Sequence, residues 1–307
     1  MSQLNVNVIA PLGYTGPNLP GDNGFVQIVD VNGDTILKST NESSVSLKSY
    51  AIGFEAGDSQ TGSLAIGTRA LKNATSVNNT AVGNLSLQSA ASNCSALGTG
   101  AGASTTANSG TFVGYNAGVL ATTGAQNTIV GSEAGSQLTT GQKNVFVGYR
   151  AGIGNNGFHI TTGQNNVLIG TNGYDTVSTL SNTIILGDGS TTTLACQATT
   201  ITFLSDARDK KEIQEFPIGL DFVKELNPVT FTWDDRDENG KHGDKDSGFI
   251  AQDLKALQEK YNLSDELKLV NETISEDKMF ASYGRLIPVL VKAIQDLSAK
   301  VEALEAK

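Results

Sequence analysis

The chain has few cysteines, few large side chains and no long apolar run, and each scarcity excludes a class of protein. Its 307 residues include 2 cysteines, 2 methionines and 1 tryptophan, and aromatic residues make up 6% of the chain. Cys94 and Cys196 are too few for a disulfide-rich secreted domain. We expect two free buried thiols, with a disulfide or metal pair as the alternative. No apolar stretch approaches the roughly 20 residues of a membrane helix, so we expect no membrane insertion.

The charge balance also restricts the partners of the chain. Lysine and arginine total 21 against 31 acidic residues, so the net charge is −10 at pH 7. An acidic surface is repelled by nucleic-acid phosphates and by anionic membranes, and we therefore expect neither as a partner. The segment Met1–Val6 lacks the basic end and apolar stretch of a signal peptide, which favours synthesis and assembly in the cytoplasm.

Charge and glycine divide the chain into three parts. The net charge is −3 over residues 1–47, zero over 48–204 and −7 over 205–307, while glycine numbers 5, 24 and 5 in the same parts. The sequence therefore predicts a short N-terminal segment, a neutral repetitive tract and a charged α/β domain. In the N-terminal segment, residues 25–37 have the pattern of a β-hairpin around Asn32-Gly33, which would attach to a partner.

Two apolar residues followed by glycine recur through the middle tract. The glycines of these steps are 14 to 22 residues apart, and asparagine precedes several steps, as at Asn79, Asn127, Asn144, Asn166 and Asn182. Such periodicity argues against disorder. It predicts a mainly β fold, a parallel β-solenoid in which each apolar step points inward and stacks on the next. We expect glycine to permit the bends and asparagine side chains to form ladders at the corners.

The longest interval contains an insertion, residues 153–160. Insertions in solenoids form surface loops. Asn155, Asn156, Phe158 and His159 are therefore our candidate recognition residues, and a neutral elongation of the loop is the alternative.

Repeats such as Val113-Gly114-Tyr115-Asn116-Ala117-Gly118 carry a recognisable signature. Over about residues 48–190 the tract resembles the head repeats of trimeric autotransporter adhesins and the related β-roll repeats of phage tail fibres. The resemblance implies three parallel chains packed side by side as left-handed rolls.

The charged domain opens with Ser205-Asp206-Ala207-Arg208-Asp209-Lys210, and Gly248-Phe249-Ile250-Ala251-Gln252 follows at a distance. Over residues 205–307 it resembles the C-terminal intramolecular chaperone and autoprocessing domain of phage tailspikes, endosialidases and tail fibres. The resemblance implies that Ser205 is a self-cleaving serine, that Lys210 activates it, and that the bond Leu204–Ser205 is cut. Asp206 and Arg208 match positions with a positioning or ion-pairing role.

The implied chemistry is physically plausible, because a desolvated lysine with a lowered pKa can remove the proton of a serine hydroxyl. The activity would be a single-turnover serine–lysine autoproteolysis without an external substrate, cofactor or metal. Lys211 is a less favoured substitute for Lys210, and a solvated charged linker is the alternative interpretation. The acidic run from Asp235 to Asp246 mimics a calcium loop, but strand-like flanks favour a hairpin loop.

The chain ends in a predicted helix, about residues 284–306, with its regular part from Pro288. Its apolar residues alternate by four and three, as in a coiled coil: Tyr283, Ile287, Leu290, Ile294, Leu297, Val301 and Leu304. The alternative is a helix packed on the core of its own domain. The residue types at the seam favour two strands, whereas both resemblances imply a homotrimer.

These features together indicate a phage tail fibre or receptor-binding protein, assembled in the host cytoplasm and carried on the virion. The N-terminal segment would bind a tail or baseplate protein, and the fibre a host surface receptor, either glycan or protein. The alternatives are an uncleaved structural virion component and a bacterial trimeric surface adhesin; the adhesin would require a secretion signal and a membrane barrel.

Overall fold

The computed structural model describes most of the chain from Gln27 onward. The described residues are 27–29, 35–40, 49–57, 62–74, 77–90, 92–154, 159–172, 177–188, 191, 193–195, 204–234, 243–275 and 278–307, with the backbone alone up to residue 50. The chain divides into two compact units, Met1–Gly189 and Ser190–Lys307.

The first unit begins with an antiparallel pair. Strand β1 (Gln27–Val29) pairs with β2 (Thr35–Thr40), and the register shifts between Ile28 and Val29. This antiparallel pair lies where the sequence predicts a hairpin, and β2 runs on to Thr40; the predicted turn at Asn32-Gly33 lies outside the described residues. Strand β2 also pairs antiparallel with β3, so the hairpin continues the sheet of the repeats.

The repeats form nine parallel strands within the described part of the chain. They are β3 (Ser49–Ile52), β4 (Leu64–Ile66), β5 (Thr80–Val82), β6 (Ser95–Leu97), β7 (Thr111–Val113), β8 (Thr128–Val130), β9 (Val145–Val147), β10 (Val167–Ile169) and β11 (Ile184–Leu186). Each strand pairs only with the strands before and after it in sequence, with the glycine-terminated steps aligned in register. The predicted mainly β, parallel solenoid is confirmed.

The apolar steps do not point wholly inward as predicted. The first residue of each step is buried from Ala51 to Leu168, as in Phe112 and Phe146, and half-buried in the last step, while the second faces outward; Leu97 is 54% exposed and Ile169 is 45% exposed. The physical reason is the alternation of side chains along a strand, which sends consecutive residues to opposite faces. The solenoid therefore carries an outward face of branched apolar side chains along the sheet.

The repeated glycines are required by close stacking as well as by bending. Gly131 has φ +136°, and a Cβ atom there would lie 2.1 Å from the carbonyl oxygen of Gly148 in the next coil. A side chain at Gly131 would therefore collide with the backbone of the next coil. Unlike a side chain, that backbone cannot rotate out of the way.

A buried asparagine ladder runs through three successive coils. Asn144 Nδ2 donates to Asn127 Oδ1 over 3.2 Å, and Asn166 Nδ2 donates to Asn144 Oδ1 over 3.0 Å. The predicted ladder is confirmed for these residues. Asn182 does not belong to it, because Thr183 occupies the next position and donates its backbone N–H to Asn166 Oδ1.

The second unit is a small α/β domain, as predicted. Its elements are α1 (Leu220–Glu225), β12 (Val229–Thr232), β13 (Lys245–Gly248), α2 (Ala251–Lys260), α3 (Ser264–Leu267), β14 (Val270–Asn271), β15 (Phe280–Ala281) and α4 (Leu286–Glu305). Strands β12 and β13 pair antiparallel, as do β14 and β15. Phe222, Leu254, Leu269 and Val289 are buried together and bring α1, α2 and α4 onto one core.

Helix α4 has two apolar sides. Leu286, Val289 and Ala293 are buried on the core, which is the arrangement of the alternative interpretation. The predicted coiled-coil seam lies exposed: Ile287, Leu290, Ile294, Leu297, Val301 and Leu304. Tyr283 precedes the helix, in the short 3-10 turn Tyr283–Arg285, and Pro288 is the third helical residue. Among the described residues, no helix combines the length and apolarity needed to cross a membrane.

Candidate active site

The predicted serine and lysine are in direct contact. Lys210 Nζ donates to Ser205 Oγ over 2.7 Å and to the Ser205 carbonyl oxygen over 3.4 Å. A single 3-10 turn, Ala207–Asp209, makes this possible because it folds the chain back within five residues. The structure therefore selects Lys210 rather than Lys211 as the neighbour of the serine.

Asp206 organises that turn. Its side chain caps the 3-10 helix by accepting from the backbone N–H of Arg208 over 2.9 Å. The Arg208 guanidinium also binds the carboxylate, with Nη2 to Oδ2 at 2.6 Å and Nε to Oδ1 at 3.1 Å. The hydrogen bonds from Arg208 lower the pKa of Asp206, and the carboxylate in turn raises the pKa of Arg208. Asp206 is thus kept as an anion, and the hydrogen bonds that it accepts stabilise the turn.

Most of the motif is exposed in the single chain, with Asp206 half-buried. Ser205, Arg208 and Lys210 are exposed, and Leu204, which would supply the attacked carbonyl, is 84% exposed. Water stabilises the charged form of an amine, and its removal is one of the ways in which a protein makes a lysine an effective base near neutral pH. The geometry of the pair is therefore present, while the desolvation that the chemistry needs is absent from these described residues.

The second motif segment is fixed by Tyr283. The tyrosine hydroxyl accepts from the backbone N–H of Phe249 and donates to the Phe249 carbonyl oxygen, both over 3.1 Å. The two rings meet edge to face with centroids 5.5 Å apart. A Cβ atom at Gly248 would lie 2.7 Å from the Tyr283 hydroxyl, which explains the glycine. This interaction joins the Gly248-Phe249 segment to the start of α4.

The other candidate residues are only partly visible. Asn155, Asn156 and Phe158 lie outside the described residues. His159 forms an isolated antiparallel bridge with Ile153, and its Nδ1 atom is buried without a hydrogen-bond partner. Most of the calcium-like loop, 235–242, also lies outside the described residues. Its last position, Asp246, accepts from the Trp233 indole over 3.2 Å. No metal-binding cluster occurs among the described residues. Cys94 is a free buried thiol, as predicted, and Cys196 lies outside the description.

Sequence reasoning missed the exposed halves of the apolar steps, although their alternation was visible in the sequence. It also missed that α4 caps α1. Asp296 Oδ2 in α4 accepts from the backbone N–H of Leu220 at the start of α1. Lys292 Nζ donates to the other carboxylate oxygen of Asp296 over 2.6 Å. No periodic signal marks such a long-range cap.

Residues 205–263 match the family model described as chaperone of endosialidase. The match begins at Ser205 and includes Lys210 and the Gly248–Gln252 segment. It ends at Leu263, so β14, β15 and α4 lie beyond it. The family model therefore covers only the first part of the predicted resemblance, which ran over residues 205–307. No curated protein and no solved structure matches the chain. The molecule therefore combines a parallel β-solenoid with a segment similar to the endosialidase chaperone, a combination that suggests a phage tail fibre or tailspike.

Proposed function

We propose that the chain is a phage tail-fibre precursor that is trimerised by its C-terminal chaperone and cut between Leu204 and Ser205. The observation that carries this proposal is the 2.7 Å contact between Lys210 Nζ and Ser205 Oγ inside the segment that matches the endosialidase chaperone. On this reading, residues 1–47 attach the fibre, 48–204 form its shaft, and 205–307 form the chaperone.

The reaction converts an amide into an ester and then hydrolyses it. A neutral Lys210 amine takes the proton of Ser205 Oγ, and the oxygen attacks the Leu204 carbonyl carbon. The C–N bond breaks, the lysine returns the proton to the Ser205 nitrogen, and an ester joins Leu204 to Oγ. Water then opens the ester, leaving a Leu204 carboxylate and a free Ser205 amine.

Assembly supplies what the single chain lacks. Because Ser205 and Lys210 are exposed here, a neighbouring copy must cover them before the lysine can act as a base. The seam of α4 offers a surface for such assembly, since Ile294 is 68% exposed although it is branched and apolar. The outward strand face of the solenoid offers a second apolar surface for parallel packing.

The order of events gives the chaperone its purpose. Parallel solenoid strands pair through non-local contacts, which form slowly. Until they form, aggregation-prone apolar surfaces stay exposed. A domain that aligns three chains first would shorten that search. After the cut, the fibre would lack the domain that aligns its chains. Its stability would then be kinetic, set by a slow rate of unfolding.

The direct test is a Ser205→Ala variant. We expect wild-type protein to give two bands on a denaturing gel, and the variant to give one full-length band, because alanine has no nucleophilic oxygen. Lys210→Ala should behave likewise, while the matched control Lys211→Ala should still be cut. The native mass of each preparation reports the stoichiometry. A single full-length wild-type band would contradict the autoproteolysis.

A second function is favoured by the exposure of the serine–lysine pair. If Ser205 stays solvated after assembly, the chain is an uncleaved structural virion component that keeps its chaperone as a cap. Intact mass spectrometry of purified particles separates the two functions, because only the first lacks residues 205–307 or carries them as a separate fragment. Deletion of residues 1–47 should abolish incorporation into particles on either function.

A further inference from the structure

Two exposed tyrosines lie in one row along the solenoid. Tyr115 and Tyr149 are 53% and 48% exposed, and each directly follows a stacked glycine. Gly114, Gly131 and Gly148 lie one above the other, since a Cβ on either of the first two would meet the carbonyl of the next. Ser132 therefore occupies the same row in the coil between the two tyrosines. The row alternates a ring, a small hydroxyl and a second ring.

The spacing of the two rings follows from the solenoid. Neighbouring parallel strands are about 4.8 Å apart, so positions two coils apart are separated by about 9.6 Å. Backbone hydrogen bonds fix this alignment, with Glu133 N donating to the Tyr115 carbonyl at 2.7 Å and Arg150 N to the Ser132 carbonyl at 3.0 Å. The half-buried Ser132 leaves a shallow gap between two rigid aromatic platforms.

Polar groups of three kinds flank this row. The residue after each row position is Asn116, Glu133 or Arg150, and all three have a left-handed backbone, with φ of 52°, 57° and 53°. Arg150 Nε approaches Glu133 Oε2 only to 3.7 Å, and it is buried without a hydrogen-bond partner. The Arg150 and Glu133 side chains are nevertheless 33% and 41% exposed, so this loose ion pair still presents a guanidinium and a carboxylate to a ligand at the surface.

We propose that Tyr115, Ser132 and Tyr149, with Glu133 and Arg150 beside them, form a binding site for a glycan chain that runs along the solenoid. The apolar face of a sugar ring packs on an aromatic ring, while its hydroxyls donate to a carboxylate and accept from a guanidinium. A polymer of sugars repeats along its length, as the two platforms do. This site rests on the tail-fibre function proposed above and differs from the predicted recognition loop in the insertion at residues 153–160.

The chemistry distinguishes this row from the surface that would pack against sister chains. The outward strand face presents Val113, Val130 and Val147, which suit a dry contact between identical chains. The tyrosine row instead mixes rings with an amide, a carboxylate and a guanidinium. A hydrated, amphipathic ligand fits that mixture better than a second copy does.

The test uses fluorescently labelled full-length protein on a printed array of purified bacterial O-polysaccharides, capsular polysaccharides and peptidoglycan fragments. We expect wild type to bind at least one glycan class. Tyr115→Ala and Tyr149→Ala should each weaken that binding about tenfold, and the double variant should lose it. The matched control is Phe54→Ala: Phe54 occupies the same row and is equally exposed, but the position two coils away is Asn84.

Two results would overturn the glycan site. One is a wild-type protein that binds no glycan on the array; the other is a double variant that binds as well as wild type. Cleavage and native mass are measured on the same preparations. A protein that trimerises and cuts itself yet ignores every glycan would refute this site alone, whereas an uncut protein that still binds through the tyrosines would refute only the autoproteolysis.

Discussion

The two units of this chain are stabilised by different means. The solenoid is held by hydrogen bonds from each coil to the next, by a column of small buried residues such as Ala65, Ala81 and Ala96, and by an asparagine ladder. The C-terminal unit has an ordinary core around Phe222 and Leu254, fastened by ion pairs such as Lys255–Glu272. A repeating unit depends on uniform backbone stacking, whereas a globular unit depends on individual side chains.

This difference explains why one unit would need the other. Each coil of the solenoid contacts only its sequence neighbours, so a register error in one coil is not corrected by distant contacts. The C-terminal unit instead has a non-repeating core, in which contacts between different elements specify one register. We expect substitutions at backbone-stacking positions to harm the solenoid most, and substitutions in surface ion pairs to harm the C-terminal unit least.

The largest effect is expected from Gly131→Ala. The new Cβ would lie 2.1 Å from the Gly148 carbonyl oxygen, and alanine disfavours φ +136°. Strain and collision together should cost about 4 kcal/mol or more in the free energy of unfolding. Urea unfolding followed by far-UV circular dichroism measures the loss. Gly284→Ala is the control, since no atom lies within 4 Å of its Cβ position. Equal stability of the two variants would show that coil stacking does not limit the solenoid.

An intermediate effect is expected from Asn144→Ala. Asn144 Oδ1 accepts from the backbone N–H and from Nδ2 of Asn166, while its own amide donates to the Gly163 carbonyl. Alanine would leave the backbone N–H of Asn166 and the Gly163 carbonyl without these buried partners, while Asn166 Nδ2 keeps its bond to the Leu180 carbonyl, and we expect a cost of about 3 kcal/mol. Gln142→Ala is the control, because its amide bonds to Gln164 at the exposed surface and its loss should cost under about 0.5 kcal/mol. If Asn144→Ala loses no more stability than Gln142→Ala, the asparagine ladder does not stabilise the solenoid measurably.

The sequence predicted the solenoid well because its signal is repeated. Each of the nine strands ends on an apolar step before a glycine, so an error at one step is corrected by the others. The sequence did not predict which coils have a residue other than asparagine at the ladder position. Gly110 stands at that position because a Cβ there would lie 2.5 Å from the ring of Phe112, a packing detail of one coil.

The candidate site could be predicted only in part. The resemblance to the chaperone family, and not the spacing alone, predicted that Lys210 acts on Ser205; a single short turn brings the two side chains into contact. Their exposure could not be predicted, because it depends on what covers the turn. Similarly, the left-handed backbone of Glu133 and Arg150 follows from the path of the coil and leaves no mark on residue type.

The smallest effect is expected in the C-terminal unit, from Glu225→Gln. The hydrogen bond from Lys260, and after it that from the Tyr261 hydroxyl, lower the pKa of Glu225. A carboxyl with a lowered folded-state pKa stabilises the folded state above its unfolded pKa, and this contribution is lost as the pH falls through the folded value. Glu225→Gln should therefore lower stability slightly at neutral pH and leave it unchanged at the acid end of that window.

The single tryptophan, Trp233, lies in the C-terminal unit, so its fluorescence during urea unfolding reports on this unit within the intact protein. Asp221→Asn serves as the control, because its carboxylate contacts Lys224 at 3.3 Å on the surface of the same short helix and, among the described residues, forms no ion pair with a second element. Glu225 instead connects the end of α1 to the end of α2. If both variants show the same pH dependence as wild type, the ion pair between the helices contributes nothing measurable, and the side-chain specificity of this unit resides in its apolar core.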